Sequence, residues 1–307
     1  MRKISGFRFS RSFLTACMLL LAILLPDLNH YTLRAEKKKI ILQQADTIEG
    51  GKTDGGSYRS VIGNVVFLDG DITLKCDRAT DYEEGNKIVL KGNVFISDNT
   101  FEIFSESGVY YPDRQIGELS GSVRGRMLNN SLFGKSKKAV YNKLASQLWL
   151  YDDAIAWHDR QQVSGDIILL HLKESGGSGK RKTIDEMQVH GNAFFAAQDT
   201  VSTSPVVYDQ LSGKKMFILL NDRSKITGIT VNREAEILYH LYDETRKPSG
   251  INYSSGDVIR MFFKDGTLSR VKITDNVEGK QYPESFRGKE SINLSKFKWR
   301  ERENPFK

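Results

Sequence analysis

The sequence predicts an all-β protein made of repeated antiparallel strands, and three observations support this fold class. A Gly-Asn-Val or Gly-Ser-Val phrase begins at Gly63, Gly92 and Gly121. Its period of about 29 residues is typical of one supersecondary unit used repeatedly. Tyr82 and Tyr111 precede Gly92 and Gly121 by the same interval. Between these markers, short runs of alternating apolar and polar residues are separated by turn-forming residues.

The alternating runs define the strands within each repeat. Residues 72–77 and 101–103 alternate apolar with polar side chains, which indicates strands with one buried face. Asp69-Gly70 and Asp98-Asn99 precede these runs, and both pairs tolerate the positive φ of a tight turn. We therefore expect about three short strands per repeat and almost no helix.

The repeated glycines and tyrosines are interpreted as structural markers. Each Gly-Asn pair is expected to form a corner or bulge where the backbone adopts positive φ. Tyr82, Tyr111 and Tyr141 are expected to be aromatic corner residues whose hydroxyls reach a backbone partner.

The chain divides into four predicted parts. Residues 1–35 begin with basic side chains followed by a short apolar run, which predicts a signal peptide or an uncleaved anchor, and hence export. Residues 40–174 and 184–283 are predicted as a regular and an irregular β module, separated by a Gly/Ser-rich loop. Residues 285–307 form a polar, basic tail, expected to be either disordered or a partner-binding arm.

Charge and reactive residues exclude several classes of function. The formal net charge of +7 falls to about +3 without the first 35 residues, and the interspersed charges do not form a nucleic-acid stripe. Cys76 is the single cysteine after residue 35 and is expected to be a small buried hydrophobe. The histidines share no metal-ligand spacing, and no catalytic residues, metal or cofactor are predicted.

The apolar positions align if the repeats stack. The valines at 65, 94 and 123 are then expected in one row, and the residues at 67 and 96 in the next. The pair at 72 and 74 is expected to face the pair at 101 and 103 from an opposing wall. This arrangement permits either a dry, closed core or an apolar trough for acyl chains. The predicted inward residues are Val65, Phe67, Ile72, Leu74, Val94, Ile96, Phe101, Ile103, Val123 and Phe195.

The chain resembles the OstA-like (organic solvent tolerance A) family, which includes periplasmic lipopolysaccharide-transport components. The resemblance rests on the exported chain, on the tyrosine-to-glycine rhythm, and on the phrases at 90–94 and 119–123. It extends from about residue 40 to residue 283. It implies a twisted, V-shaped β-jelly roll, or half-pipe, of antiparallel strands, present as one long module or two.

The same resemblance implies a function without catalytic residues. Members of the family bind lipopolysaccharide acyl chains inside the half-pipe and join end to end into a bridge across the periplasm. The expected partners are therefore lipopolysaccharide or a related acylated glycolipid, inner- and outer-membrane transport components, and head-to-tail copies of the chain, with no nucleic acid.

Two other classes of function remain open on the sequence alone. One is a structural or adhesive β-repeat protein with a closed core. The other is a parallel β-helix enzyme acting on polysaccharide, which predicts acidic residues at equal phase in consecutive repeats, where this chain has apolar ones.

Overall fold

The computed structural model describes residues 40–53, 56–82, 85–128, 132–174, 182–201, 204–264 and 266–307. These residues form sixteen strands: β1 (Ile41–Gln44), β2 (Thr47–Thr53), β3 (Gly56–Asp69), β4 (Ile72–Tyr82), β5 (Lys87–Ser97), β6 (Phe101–Tyr111), β7 (Ile116–Met127), β8 (Leu132–Asn142), β9 (Gln147–His158), β10 (Gln161–Glu174), β11 (Lys182–Gln198), β12 (Tyr208–Leu220), β13 (Ile226–Tyr242), β14 (Pro248–Lys264), β15 (Thr267–Thr274) and β16 (Glu278–Tyr282). Three short 3₁₀ helices follow at Glu284–Phe286, Glu290–Ile292 and Glu301–Glu303.

The described strands confirm the predicted all-β class. All sixteen belong to one sheet, every pairing is antiparallel, and from β3 to β15 each strand pairs with the next in the chain. In the described part of the chain, no helix is long and apolar enough to cross a membrane. The predicted signal peptide or anchor at 1–35 lies outside the described residues, so it stays a prediction.

The strands bend at a shared corner, where the repeated glycines lie. Gly63 and Asn64 have φ of 78° and 48°, and Gly92 and Asn93 have φ of 75° and 44°. The strand register shifts at these positions, as between Ile62 and Val65 in the β3–β4 pair. The predicted corner with positive φ is therefore confirmed.

An acidic side chain supports the Asn or Ser at most of these corners. The Asn93 amide donates to Asp77 Oδ2 at 3.0 Å, and the Ser122 hydroxyl donates to Glu106 Oε1 at 2.8 Å. Asn64, Asn192 and Asn276 donate in the same way to Asp46, Asp166 and Asp257. Two corners use an ion pair with the acid on the other strand: Lys138–Asp152 at 3.2 Å and Lys214–Glu234 at 3.1 Å.

The bend divides the sheet into two walls that face each other. The first wall contains the strand halves next to the β3–β4, β5–β6, β7–β8, β9–β10, β11–β12 and β13–β14 turns. The second wall contains the halves next to the β4–β5, β6–β7, β8–β9, β10–β11, β12–β13 and β14–β15 turns. The result is a V-shaped half-pipe with the corner as its spine, in agreement with the predicted jelly roll.

Among the described strands, both ends of the half-pipe are free sheet edges. β1 and β2 are two halves of one bent strand and pair with the two halves of β3. β15 and β16 pair in the same way with the two halves of β14. The strands at the two ends do not pair with each other, and most of their residues are exposed.

The tail after β16 packs along the outer face of the first wall and is named here the strap (residues 284–307). Leu294 N–H donates to Gln210 Oε1 of β12 at 2.9 Å, and Gln162 of β10 donates through Nε2 to the Lys298 carbonyl at 2.8 Å. Further along, Arg300 forms two hydrogen bonds with Asp153 of β9. The strap is thus an ordered part of this structure, in contrast to the disordered alternative considered for the tail.

A second apolar cluster holds the strap against the sheet. Phe194, Leu238 and Ile251 from the outer face of the first wall are buried against Ile292 and Leu294 of the strap. Phe297 and Trp299 pack against the same cluster. The scattered aromatic residues of the predicted tail therefore cover the sheet in this structure.

The predicted role of the tyrosines is only partly correct. Tyr141 is buried, but its hydroxyl donates to the Asp98 carboxylate and not to the backbone. The buried tyrosine of the preceding repeat is Tyr110, whereas Tyr111 and Tyr82 lie on the outer face. Successive residues of a strand point to opposite sides, so an offset of one residue places a tyrosine on the wrong face.

The division into modules at 40–174 and 184–283 stays a prediction. The sheet continues through β10 and β11, which pair on both sides of residues 175–181. That loop lies outside the described residues.

Candidate lipid-facing interior

One continuous apolar cluster fills the space between the two walls. It extends from Val61 and Val65 in β3 to Ile259 and Met261 in β14. All ten residues predicted to point inward belong to this cluster, and each is nearly inaccessible to solvent. The apolar positions of the alternating runs therefore lie on the buried face of the sheet.

The predicted facing arrangement is wrong, because all ten residues lie on the first wall. Leu74 pairs with Ile96, and Ile96 pairs with Ile103, so these side chains are neighbours in one row. The opposing wall comes from the other halves of the same strands, which sequence reasoning did not assign. Its inward residues include Ala79, Ile88, Leu90, Leu119, Ala139, Leu148, Leu150, Ile168, Leu170, Ile184, Met187, Val189, Met216, Ile218, Ile229 and Val231.

A sequence signal for the second wall exists before each corner. Ile88 and Leu90 precede Gly92, and Leu148 and Leu150 precede the bend at Asp152. A corner that folds each strand onto itself places these residues opposite those that follow it.

The two walls touch across the interior. A Cβ added to Gly117 on the second wall would lie 2.8 Å from Ile96 Cδ1 on the first wall. The ring centroids of Phe101 and Tyr141, which also belong to opposite walls, are 6.0 Å apart in an edge-on arrangement. In this conformation the interior is therefore closed.

Two small apolar cavities remain within the described interior. The first has a volume of about 20 Å³ and lies among Phe101, Ile103, Val123 and Leu150. The second has a volume of about 30 Å³ and lies where the walls meet near His158 and the β12–β13 turn. Each volume is comparable to that of a single water molecule, so acyl chains require the walls to separate.

Polar side chains close the line where the outer margins of the two walls meet, named here the seam. Tyr110 of the second wall donates to Asp69 Oδ2 of the first wall at 2.6 Å. Tyr141 and Asp98 make the equivalent contact one repeat later, and Lys143 pairs with Asp71 nearby. These contacts join the two walls at their margins.

The environment of the seam tyrosines favours their neutral form. Burial, followed by the hydrogen bond to Asp69, raises the pKa of Tyr110 far above its ordinary value. Burial, followed by the negative charge of Asp98, raises the pKa of Tyr141 in the same direction. Both hydroxyls thus remain donors over the physiological pH range.

The interior offers little reactive chemistry among the described residues. Burial raises the pKa of Cys76 to about 11, so its thiol stays protonated and acts as a small apolar side chain. In the described ranges, no three His, Cys, Asp or Glu residues are arranged to hold a metal ion.

The fold and its interior define a class of protein: a V-shaped antiparallel half-pipe with an apolar inside and two free sheet edges. Residues 37–154 match the model of a family described as OstA-like protein. The resemblance drawn from the Gly-Asn-Val rhythm is confirmed over this segment.

No curated protein matches the chain. Among solved structures, the chain is similar to LptH of Pseudomonas aeruginosa, described as the LptA-homologous periplasmic component of the conserved lipopolysaccharide transport device. The identity is 15%, the alignment covers 48% of this chain and 94% of LptH, and the TM-score is 0.21.

Proposed function

We propose that this protein is a non-enzymatic periplasmic carrier that binds the acyl chains of lipopolysaccharide, or of a related acylated glycolipid, between its two walls. The observation that carries the proposal is the unbroken apolar interior from β3 to β14 in an OstA-like chain. Each methylene removed from water contributes about 0.8 kcal/mol, so a continuous apolar path lowers the cost of moving a lipid across an aqueous compartment.

Lipid loading requires the walls to separate along the seam. The corner has a regular supporting network, whereas the opposite margins are joined by a few polar contacts, so opening at the margins preserves the strand ladder. Burial of acyl chains between the parted walls offsets the lost contacts between side chains such as Ile96 and the backbone at Gly117.

The free edges support assembly into a bridge. β1 and β2 at one end and β15 and β16 at the other leave backbone groups available for strand addition. Head-to-tail copies of this chain, or β-sheets of inner- and outer-membrane transport components, are the proposed partners at these edges.

A photoreactive residue at position 96 tests lipid binding directly. Ile96 points inward and is buried, whereas the adjacent Phe95 lies on the outer face against Phe104, with ring centroids 5.0 Å apart. Irradiation of living cells is expected to cross-link glycolipid to position 96 and not to the matched control at position 95. Cross-linking at neither position, or equally at both, would contradict an interior lipid path.

A structural or adhesive role is the second candidate, and the small interior cavities favour it. Organic-solvent extraction of the purified protein followed by mass spectrometry separates the two. Co-purifying acylated glycolipid supports transport, and its absence supports the closed structural core. The antiparallel pairing of all the described strands excludes the parallel β-helix enzyme as an architecture.

A further inference from the structure

A polar pocket lies between the strap and the outer face of the first wall. Its volume is about 290 Å³, close to the lower end of the range for small-molecule sites. The sheet contributes Phe133, Trp157, Asp159 and Gln161, and the strap contributes Trp299, Glu301, Asn304 and Lys307. The pocket exists only because the strap folds back onto the sheet, and all of its lining residues except Phe133 lie outside residues 37–154, the segment that matches the OstA-like model.

Two of the residues that line it carry a hydrogen-bond donor without a partner. Trp157 Nε1 and Asn304 Nδ2 are buried and donate to no acceptor in the described part of the chain. Their residues are only 3% and 5% exposed. Because an unsatisfied buried donor costs free energy, two of them on residues that line one pocket indicate a ligand that supplies acceptors.

The remaining polar groups define the chemistry of that ligand. Asp159, Glu301 and Gln161 supply acceptors, while Lys307 supplies a further donor. Glu301 accepts hydrogen bonds from Lys307 and from Trp299 Nε1, which hold the pKa of its carboxyl below the ordinary value. Two carboxylates disfavour a phosphate or another anion, whereas neutral hydroxyl groups both donate and accept.

The aromatic residues point to the same class. Phe133 and Trp299 provide apolar surfaces beside the polar groups. A neutral sugar ring has apolar C–H faces and hydroxyls at its edge, so it fits a pocket with this mixture of surfaces.

The position of the pocket connects it with the interior. Gln161 lines both this pocket and the 30 Å³ cavity between the walls. The two spaces therefore lie on either side of the β9–β10 hairpin, at the margin of the first wall. An amphiphile with its acyl chains between the walls can place its polar part in the pocket.

We propose that the strap pocket is a binding site for a neutral saccharide unit, such as the sugar portion of the glycolipid whose acyl chains enter the interior. The origin of the sugar, as part of the glycolipid, rests on the proposed function. The binding site itself does not depend on that function. The same chemistry also accommodates a free oligosaccharide.

The test uses the full chain and three probes: intact lipopolysaccharide, its lipid A portion, and the soluble oligosaccharide released from it by mild acid. Asn304→Asp keeps the side-chain oxygen that accepts from Phe306 N–H and replaces the unpaired donor with an acceptor. Trp157→Phe removes the Nε1 donor while retaining an aromatic ring. Asn293→Asp is the matched control, because Asn293 lies on the strap outside the pocket and uses its Oδ1 as an acceptor for Gln210.

Calorimetry and ligand-observed NMR with the oligosaccharide are expected to show binding to the native chain and to the Asn293→Asp variant. Asn304→Asp and Trp157→Phe should each weaken it by about fivefold or more, with the far-ultraviolet circular dichroism spectrum of the native chain retained. No oligosaccharide binding by the native chain, or equal binding by all variants, would overturn the saccharide site.

The lipid probes separate this inference from the proposed function. The pocket variants should bind intact lipopolysaccharide more weakly but lipid A as well as the native chain does. Lipid A binding without oligosaccharide binding refutes the pocket and leaves the carrier function standing. Oligosaccharide binding that the pocket variants weaken, without lipid A binding, supports the pocket and refutes the carrier function.

Discussion

The Tyr110 hydroxyl donates to the Asp69 carboxylate at 2.6 Å although the two residues belong to opposite walls of the half-pipe. Asp69 ends β3 on the first wall, whereas Tyr110 lies near the end of β6 on the second wall. Both residues are only 1% exposed. This buried contact joins the margins of the two walls, and Gln115 Nε2 approaches the same carboxylate at 3.5 Å.

Tyr110→Phe is expected to lower the free energy of unfolding by about 1–3 kcal/mol, because it leaves the buried Asp69 carboxylate without its closest donor. Denaturant unfolding measures the loss. Tyr111→Phe is the control, since the Tyr111 hydroxyl is on the outer face and 3.5 Å from Glu118. Equal stability of the two variants would mean that the seam contact contributes nothing to closure.

Alkaline pH is expected to destabilise the fold through both seam tyrosines. Burial raises the pKa of Tyr110 and Tyr141 in the folded state above the ordinary value of about 10. Their contribution is fully present below pH of about 10 and is lost progressively as the pH rises further, by up to about 1.4 kcal/mol per pH unit for each tyrosine. The free energy of unfolding, measured across this range, should fall less steeply with pH for Tyr110→Phe than for the native chain. An equal slope for the two proteins would argue against a raised pKa of Tyr110 in the folded state.

Gly92→Ala tests the corner that bends the sheet. Gly92 has φ of 75°, and an added Cβ would overlap the Asp77 carboxylate that accepts from Asn93. Gly70→Ala is the matched control, because Gly70 has φ of 63° in the β3–β4 turn and nothing within 4 Å of the added Cβ. Both variants incur a left-handed backbone cost of about 1–2 kcal/mol. In thermal or denaturant unfolding, Gly92→Ala should lower the free energy of unfolding by more than this amount, and Gly70→Ala should not. Equal losses would show that the Asp77 side chain moves away from the added Cβ at little cost.

The sequence was sufficient to predict the repeat, the corner and the inward residues of one wall, because these features depend on residues close together in the chain. A Gly-Asn pair requires positive φ wherever it occurs, and alternation separates inward from outward side chains within one strand. The second wall was missed because assigning it requires knowing that each strand folds over at the corner. Asp77 and Glu106, which support Asn93 and Ser122, could have been found as acids at a similar interval before the corner residue.

Contacts between distant parts of the chain were not predictable in this way. Asp69 and Tyr110 belong to different repeats, and their pairing depends on how the two margins meet across the interior. The strap was not predictable either, since its aromatic residues show no strand alternation and acquire their partners from the outer face of distant strands. Phe297 and Trp299 pack on the cluster formed by β11 to β14, and Phe306 packs on Phe104 and Phe133. Those partners look like surface positions when a strand is considered alone.

Arg287 anchors the beginning of the strap, and its removal is expected to release the strap from the sheet. Its guanidinium donates hydrogen bonds to Asp199 Oδ2 at 2.6 Å and to the Tyr242 hydroxyl. The Arg287 and Asp199 side chains are only 5% and 6% exposed. Arg287→Met leaves the buried Asp199 carboxylate without its counter-ion, a change that costs about 3–5 kcal/mol in comparable buried pairs.

Limited proteolysis of Arg287→Met should cleave within residues 284–307 under conditions where the native chain is resistant. A hydrophobic dye should bind the uncovered patch around Phe194 and Ile251. Arg302→Met is the control, because Arg302 is exposed on the same strap. The double variant Arg287→Met with Asp199→Asn should recover part of the resistance, since it removes the unpaired charge. Equal protease resistance of Arg287→Met and the native chain would show that the apolar contacts of Ile292 and Leu294 hold the strap without this ion pair.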